Sequence, residues 1–117
     1  MLRESFYNLK DNLIKLGMKE NDIPNLEKYL FSKKLVIIFP DTFSKKFDLS
    51  YEETKKILFF LVEKKIILLM YRVKIDSYYW DYDDLSSIPT EIEIDDKVVD
   101  NILERTHILF KVVNYGG

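Results

Sequence analysis

Seven acidic residues within sixteen positions form the densest group of side chains that could do chemistry in this sequence: Asp81, Asp83, Asp84, Glu91, Glu93, Asp95 and Asp96. Closely spaced carboxylates could bind a divalent cation such as Ca²⁺. An EF-hand loop needs a glycine at its sixth position and a glutamate at its twelfth, which here are Ser86 and Ile92. We therefore interpret the segment as a solvated acidic surface, which would repel nucleic acid or attract a basic partner.

Two other patterns are poor candidates for catalysis. Pro40-Asp41 followed by Glu63-Lys64-Lys65 resembles a nuclease arrangement, but those nuclease residues belong on adjacent strands, whereas the pattern around Glu63 is helical. His107 has no nucleophile or acid at a spacing that would suggest a catalytic triad. The chain has no cysteine, and its three glycines form no phosphate-binding loop. We expect no catalytic site, no metal and no cofactor.

The first element that could position a functional surface is a helix predicted from about Leu2 to Leu16, ending at Gly17. Its apolar side chains recur at spacings of four and three residues, which is the seam of a coiled coil. This stripe consists of Leu2, Phe6, Leu9, Leu13 and Leu16. A stripe this narrow packs either on its own domain or on another chain.

The following segments predict a helix that begins after an Asp22 cap and ends near Lys33–Lys34, then a strand from Leu35 to Phe39. Asp41 is expected to cap a short helix, Thr42 to Phe47. The strongest helix signal comes next, because Ser50 and Glu53 form a capping box. We expect its buried face to pack with the two preceding helices, the core being Ile57, Leu58, Leu61, Val62, Leu26, Leu30 and Phe43.

Two strands are predicted after that helix, Ile66 to Ile75 and Tyr78 to Tyr82, joined by a turn at Asp76–Ser77. Further along, strands are predicted from Thr90 to Ile94 and from Ile108 to Val113. We expect the segment from Val98 to Leu103, between those strands, to be helical. The predicted fold class is therefore α+β.

This order of elements resembles the winged helix-turn-helix superfamily over residues 22–80. The stretch from Pro40 to Ile66, PDTFSKKFDLSYEETKKILFFLVEKKI, is similar to the core of such domains. The resemblance implies that a short helix leads through Leu49-Ser50 into a recognition helix, whose end introduces the wing. We thus expect a single domain with an N-terminal helix (1–17), a winged-helix core (22–82) and a C-terminal α/β extension, largely β (83–117).

The resemblance also implies a possible DNA-binding surface at the start of the recognition helix and in the wing. The residues at matching positions, with the nearby lysines, are Lys45, Lys46, Ser50, Tyr51, Lys55, Lys56, Arg72 and Lys74. Residues 32–75 carry ten basic and five acidic groups, as a polyanion-binding segment would. In this alternative, the basic residues contact duplex DNA mainly through phosphates. Glu52, which would face phosphates or bases, would repel the DNA.

Protein binding is the function we favour from the sequence, because the chain has more apolar surface than one small core needs. The expected interface residues are the first-helix stripe, Leu2, Phe6, Leu9, Leu13 and Leu16, together with Phe59 and Trp80. The partner would be a second copy of this chain or a different subunit. No apolar run is long enough to span a bilayer, and the first residues lack the apolar centre of a signal peptide, so we expect a soluble, cytoplasmic protein.

Overall fold

The computed structural model describes residues 8–32 and 37–113 and has an α+β architecture. It divides into two compact units, of which unit 1 comprises Met1–Leu68 with Phe110–Gly117, and unit 2 comprises Leu69–Leu109. Within the described residues, unit 1 holds four α-helices and a short strand: α1 (Lys10–Lys15), α2 (Ile23–Leu30), β1 (Ile37–Ile38), α3 (Pro40–Phe47) and α4 (Tyr51–Glu63). A 3-10 turn, Glu20–Asp22, precedes α2.

The remaining strands are β2 (Ile67–Ile75), β3 (Tyr78–Tyr82), β4 (Ile92–Ile94), β5 (Lys97–Val99) and β6 (Thr106–Val112), with 3-10 turns at Leu85–Ser87 and Ile102–Arg105. Four strands are hydrogen-bonded in the order β1-β6-β2-β3, and β4 pairs with β5 in a separate sheet. All the pairs with a defined register are antiparallel. The predicted α+β class is confirmed.

The first helix is shorter than predicted, since α1 begins at Lys10. The predicted residues Leu2 and Phe6 lie outside the described residues. The end of the helix is as expected: Gly17 has φ of +119°, and Met18 N–H donates to the Leu13 carbonyl at 3.0 Å. These are the features of a Schellman motif, which needs a left-handed residue that glycine adopts without strain.

The predicted boundaries of the next elements need correction. The side chain of Asp22 makes no capping hydrogen bond, and α2 ends at Leu30, before Lys33–Lys34. Of the predicted strand 35–39, residues 37–39 are described, and only Ile37–Ile38 form a strand. Helix α3 begins at Pro40, so Asp41 lies inside its first turn and does not cap it. Proline favours that first position because its fixed φ is helical and its missing N–H costs nothing there.

Helix α4 and its packing agree closely with the prediction. The capping box is confirmed: Glu53 N–H donates to Ser50 Oγ at 3.1 Å, and Ser50 N–H donates to Glu53 Oε1 at 2.9 Å. The predicted core residues Ile57, Leu58, Leu61, Leu26, Leu30 and Phe43 are all buried. Val62 is only half-buried, so that part of the prediction is wrong.

In unit 2 the β2–β3 hairpin is confirmed, whereas the segment after β4 was predicted incorrectly. The expected helix from Val98 to Leu103 is instead the end of strand β5 followed by a 3-10 turn. Asp95 and Asp96 both have positive φ (51° and 65°), as the two central residues of a type I′ hairpin turn require. This turn joins β4 to β5, so residues 97–99 pair with β4 as a strand and do not form a helix.

Candidate functional site

A helix-turn-helix element, formed by α3 and α4, is the best-defined part of unit 1. Asp48 ends α3 in the left-handed conformation (φ 51°), and Leu49 N–H donates to the Ser44 carbonyl at 3.0 Å. The hydroxyl of Ser44 donates to the Leu49 carbonyl at 2.8 Å, which fixes the turn a second time. Ser50 then caps α4. The direction in which α4 leaves the turn is therefore set by local hydrogen bonds.

The segment after α1 packs on the same turn. Lys19 Nζ donates to the carbonyls of Phe47 (3.4 Å) and Asp48 (3.1 Å) and lies 3.7 Å from the Asp48 carboxylate. A cation at the C-terminus of α3 is favourable for the helix dipole. A Cβ at Gly17 would lie 2.5 Å from Oε2 of Glu53, so any side chain there would clash with the capping box.

The outer face of α4 carries a stripe of exposed residues spaced by four: Tyr51, Lys55, Phe59 and Glu63. Tyr51 is 74% exposed and Phe59 is 39% exposed, and the rings of Phe59 and Phe110 make a T-shaped contact at a centroid distance of 5.7 Å. The stripe thus has a basic residue, an aromatic residue and an acidic residue in consecutive turns of the helix. We name the last three residues, Lys55, Phe59 and Glu63, the α4 stripe.

The predicted DNA-binding residues on α3 and α4 are brought together on the helix-turn-helix element. Lys45, Lys46, Tyr51, Lys55 and Lys56 are exposed. Lys46 Nζ lies over the ring of Tyr29 at 5.3 Å from the centroid and over Phe47 at 5.9 Å, so it is partly engaged with aromatic rings. The hydroxyl of Ser50, also predicted, accepts the N–H of Glu53 in the capping box.

The two predicted wing residues, Arg72 and Lys74, lie on β2 in unit 2. Arg72 donates to both oxygens of Asp81 (2.8 and 3.0 Å) and lies over the Tyr79 ring at 4.1 Å from the centroid. The hydrogen bonds to Asp81 raise the pKa of Arg72, and the guanidinium keeps its charge. Lys74 is exposed beside Tyr79. Sequence reasoning missed the Arg72–Asp81 pair, which the hairpin register creates.

Most of the predicted protein-interface residues that the structure describes are buried or half-buried. Leu13 is fully buried and cannot be part of an exposed stripe, while Leu9 and Leu16 are half-buried; this corrects the expectation for α1. Trp80 packs against the buried cluster Val73, Ile75 and Ile102 of unit 2. Phe59 is therefore the one predicted interface residue, among those the structure describes, that is markedly exposed.

An open groove in unit 1 was not found from the sequence. Its volume is about 570 Å³, and its lining consists of Asp22, Asn25, Lys28, Tyr29, Ser32, Lys46 and Phe47. Burial raises the pKa of the Tyr29 hydroxyl, so this group is neutral at physiological pH. The contact of this tyrosine with Lys46 has no signal in the sequence, because α2 and α3 bring the two residues together.

Within residues 8–32 and 37–113, no three histidine or acidic side chains are placed to hold a metal ion. His107 is exposed on β6. None of the helices that the structure describes is long and apolar enough to cross a membrane. No protein-family model, curated protein or solved structure matches this chain. The α+β fold and the surfaces above are thus the basis for inferring a function.

Proposed function

We propose that this protein is a non-catalytic protein-interaction module and that it forms a symmetric dimer through the outer face of α4. The observation that carries this proposal is the α4 stripe, in which Lys55, Phe59 and Glu63 are all exposed at a spacing of four residues. An interface between two identical copies must be complementary to itself. A stripe with a basic end, an aromatic centre and an acidic end meets that requirement when two helices pack antiparallel.

The geometry of such a pair follows from the rise of an α-helix. Lys55 and Glu63 lie about 6 Å along the helix axis on either side of Phe59, at 1.5 Å per residue. When the two Phe59 rings meet at the two-fold axis, each Lys55 lies opposite the Glu63 of the other copy. Rows of residues spaced by four are also the ridges that interdigitate in the commonest class of helix packing.

The scaffold under this surface favours binding without rearrangement. The capping box, the Ser44–Leu49 hydrogen bonds and the Lys19 contacts hold both ends of the turn before α4. Preorganised surfaces lose less conformational entropy on binding. One helix of 13 residues buries less than the roughly 1,600 Å² of a standard interface, so we expect a weak, reversible dimer.

The module resembles a winged helix in its order of helices, with one departure in the sheet. The strand adjacent to β1 is β6, with Ile37 opposite Lys111, and β3 lies on the far side of β2. In this interpretation β2 and β6 take the place of the two wing strands, and the residues from β3 to the 3-10 turn Ile102–Arg105 are a large insertion between them. Unit 2, which also includes most of β2 and β6, has four basic and ten acidic residues, a net charge of −6, which disfavours a wing that contacts DNA.

Charge reversal tests the dimer directly. Lys55→Glu or Glu63→Lys replaces two attractive contacts by repulsive ones, because the two-fold axis repeats each contact. Exposed pairs contribute about 0.2–1 kcal/mol each, so each single variant should weaken the dimer by about 1–2 kcal/mol, or about 5- to 30-fold in Kd. The double variant Lys55→Glu/Glu63→Lys restores complementary charges and should restore dimerisation. Sedimentation equilibrium at low salt measures all four proteins.

Lys56→Glu is the matched control, since Lys56 is also exposed on α4 but lies about 100° around the helix from Lys55. Its Kd should change less than about twofold if the α4 stripe is the interface. A wild-type protein that stays monomeric at several hundred micromolar, or a double variant no better than the single ones, would remove the support for this proposal.

Duplex DNA is the second candidate partner, favoured by one observation: Lys45, Lys55 and Lys56 are exposed on the two helices of the helix-turn-helix element. Binding of this kind would be dominated by phosphate contacts and would fall steeply with salt. Fluorescence anisotropy with a random-sequence duplex, between about 50 and 200 mM salt, distinguishes it from the dimer. Under this alternative Lys56→Glu weakens DNA binding, whereas it leaves dimerisation unchanged.

A further inference from the structure

Strand β3 forms an edge of the four-stranded sheet, and no strand in the described part of the chain pairs with its outer side, which we call the open edge. In the order β1-β6-β2-β3, Tyr78–Tyr82 pairs with β2 on one side only. Among the described residues, no backbone hydrogen bond from a turn or loop reaches this strand. Natural proteins commonly protect such edges with proline, lysine, bulges or a covering segment, because an exposed edge can pair with another chain. The sequence of β3, YYWDY, has neither proline nor lysine.

The hairpin register identifies the backbone groups that face outward. Ile75 and Tyr78 flank a two-residue loop and face each other as a hydrogen-bonded pair, and hydrogen-bonded and non-hydrogen-bonded pairs then alternate along the ladder. Tyr79 and Asp81 are therefore in non-hydrogen-bonded positions toward β2. Their N–H and C=O groups point away from the sheet, where an added strand would meet them.

The side chains hold this edge in the conformation that strand addition needs. On one face, Arg72 bridges Asp81 and stacks on Tyr79, linking the two outward-facing residues to the neighbouring strand. On the other face, Trp80 and Tyr82 pack against the buried cluster of unit 2. Since the Asp81 carboxylate is occupied by Arg72, its charge gives the edge little protection.

The negative charge around β3 indicates what kind of chain could bind at its open edge. Exposed carboxylates flank the strand on both sides, Asp76 before it and Asp83 after it, and unit 2 as a whole has a net charge of −6. A second copy placed at this edge would bring two such acidic units together, and a nucleic acid would be repelled in the same way. An extended protein segment with basic residues at its ends avoids both problems.

We propose that the open edge of β3 binds an extended, basic segment of a partner protein by strand addition. Backbone hydrogen bonds to Tyr79 and Asp81 supply the affinity, and the acidic residues at each end of the strand supply the preference for lysine and arginine. This surface belongs to unit 2 and does not depend on the α4 stripe. The variant Lys55→Glu should therefore bind such a segment as tightly as the wild type.

A displayed library of random twelve-residue peptides tests the proposal without assuming a partner sequence. Selection on the wild-type protein should enrich peptides with a β-branched residue at every second position. These peptides should also carry an excess of lysine or arginine near their ends. Hydrogen exchange then reports the site: at saturating concentration of an enriched peptide, the amides of Tyr79 and Asp81 should exchange at least tenfold more slowly.

The decisive variant is Tyr79→Pro, compared with Tyr79→Ala. Both remove the same side chain, but only proline removes the outward N–H, and proline is tolerated at the open side of an edge strand. With folding verified by thermal melts, Tyr79→Pro should bind an enriched peptide at least tenfold more weakly than Tyr79→Ala. The proposal would be overturned if the selection enriched no peptides or enriched acidic ones. It would also be overturned if Tyr79→Pro and Tyr79→Ala bound an enriched peptide equally, or if the wild type formed a dimer that only Tyr79→Pro abolished.

Discussion

Lys65 follows α4 with φ of 62°, a left-handed conformation that a residue with a Cβ adopts at a cost. Its N–H donates to the Val62 carbonyl at 2.9 Å, and Ile66 N–H donates to the Leu61 carbonyl at 3.0 Å. These are the two hydrogen bonds of a Schellman motif, in which the left-handed position is usually glycine. Lys65 is exposed, so replacing it changes the backbone preference with little loss of packing.

We expect Lys65→Gly to stabilise unit 1 by about 0.5–1 kcal/mol. Relief of the left-handed strain contributes roughly 1–2 kcal/mol, and the greater freedom of glycine in the unfolded chain removes about 0.5–1 kcal/mol of that gain. Urea denaturation followed by far-ultraviolet circular dichroism measures the change. The midpoint should rise by roughly 0.2–0.7 M at an unchanged m value, taking m as about 1.5–2.5 kcal/mol/M.

Lys64→Gly is the matched control, because it removes the same charge one residue earlier, where φ is −84°. No strain is relieved there, and Lys64 Nζ also lies 5.7 Å from the Phe60 ring centroid. This variant should destabilise the protein by about 0.5–1 kcal/mol. If both variants shift the midpoint in the same direction, charge or packing dominates and the backbone argument is refuted.

Four further predictions concern α4. Leu61→Ala should cost about 2–5 kcal/mol in the free energy of unfolding, because Leu61 is fully buried. Thr54→Val should be neutral or stabilising by up to about 1 kcal/mol, since the buried Thr54 hydroxyl has no hydrogen-bond partner. Ser50→Ala should cost about 1 kcal/mol through loss of the cap. The Ser50 hydrogen bonds lower the pKa of Glu53, so this carboxylate stabilises the fold at neutral pH and the contribution disappears as the pH falls through the lowered pKa.

Simple comparisons check these expectations in the same urea assay. Thr54→Ser keeps the hydroxyl and loses the methyl group, so it should be less stable than Thr54→Val. Glu53→Gln keeps a capping side chain that does not titrate. Its free energy of unfolding should therefore fall less than that of the wild type as the pH is lowered. An equal loss of stability on acidification in both proteins would contradict the role given to Glu53, and a change below about 1 kcal/mol for Leu61→Ala would contradict its place in the core.

The elements predicted best are those with local signals. The capping box of Ser50 and Glu53, together with apolar residues at helical spacing, identified α4 and most of its buried face. The β2–β3 hairpin was also found from its two apolar runs and the turn between them. In both cases the residues that determine the element are close together in the sequence, so the pattern contains the information.

What the sequence did not reveal depends on left-handed residues other than glycine and on long-range pairing. Asp95–Asp96 forms the β4–β5 turn without a glycine, and the expected helix there was wrong. The Arg72–Asp81 pair exists only in one register of the hairpin. For the same reason, the open edge at β3 could not be predicted, because it follows from the position of β6 in the sheet.

The pairing of β1 with β6 also affects the order in which the protein folds. Ile37 and Lys111 are hydrogen-bonded neighbours in the sheet, yet the residues between them span more than half of the chain. Contacts between such distant residues form late, because closing a long loop costs entropy before any contact offsets it. On the ribosome, the residues from β2 to the 3-10 turn Ile102–Arg105 emerge before β6 does. The pairing of β1 with β6 can therefore form only after this whole segment has been synthesised.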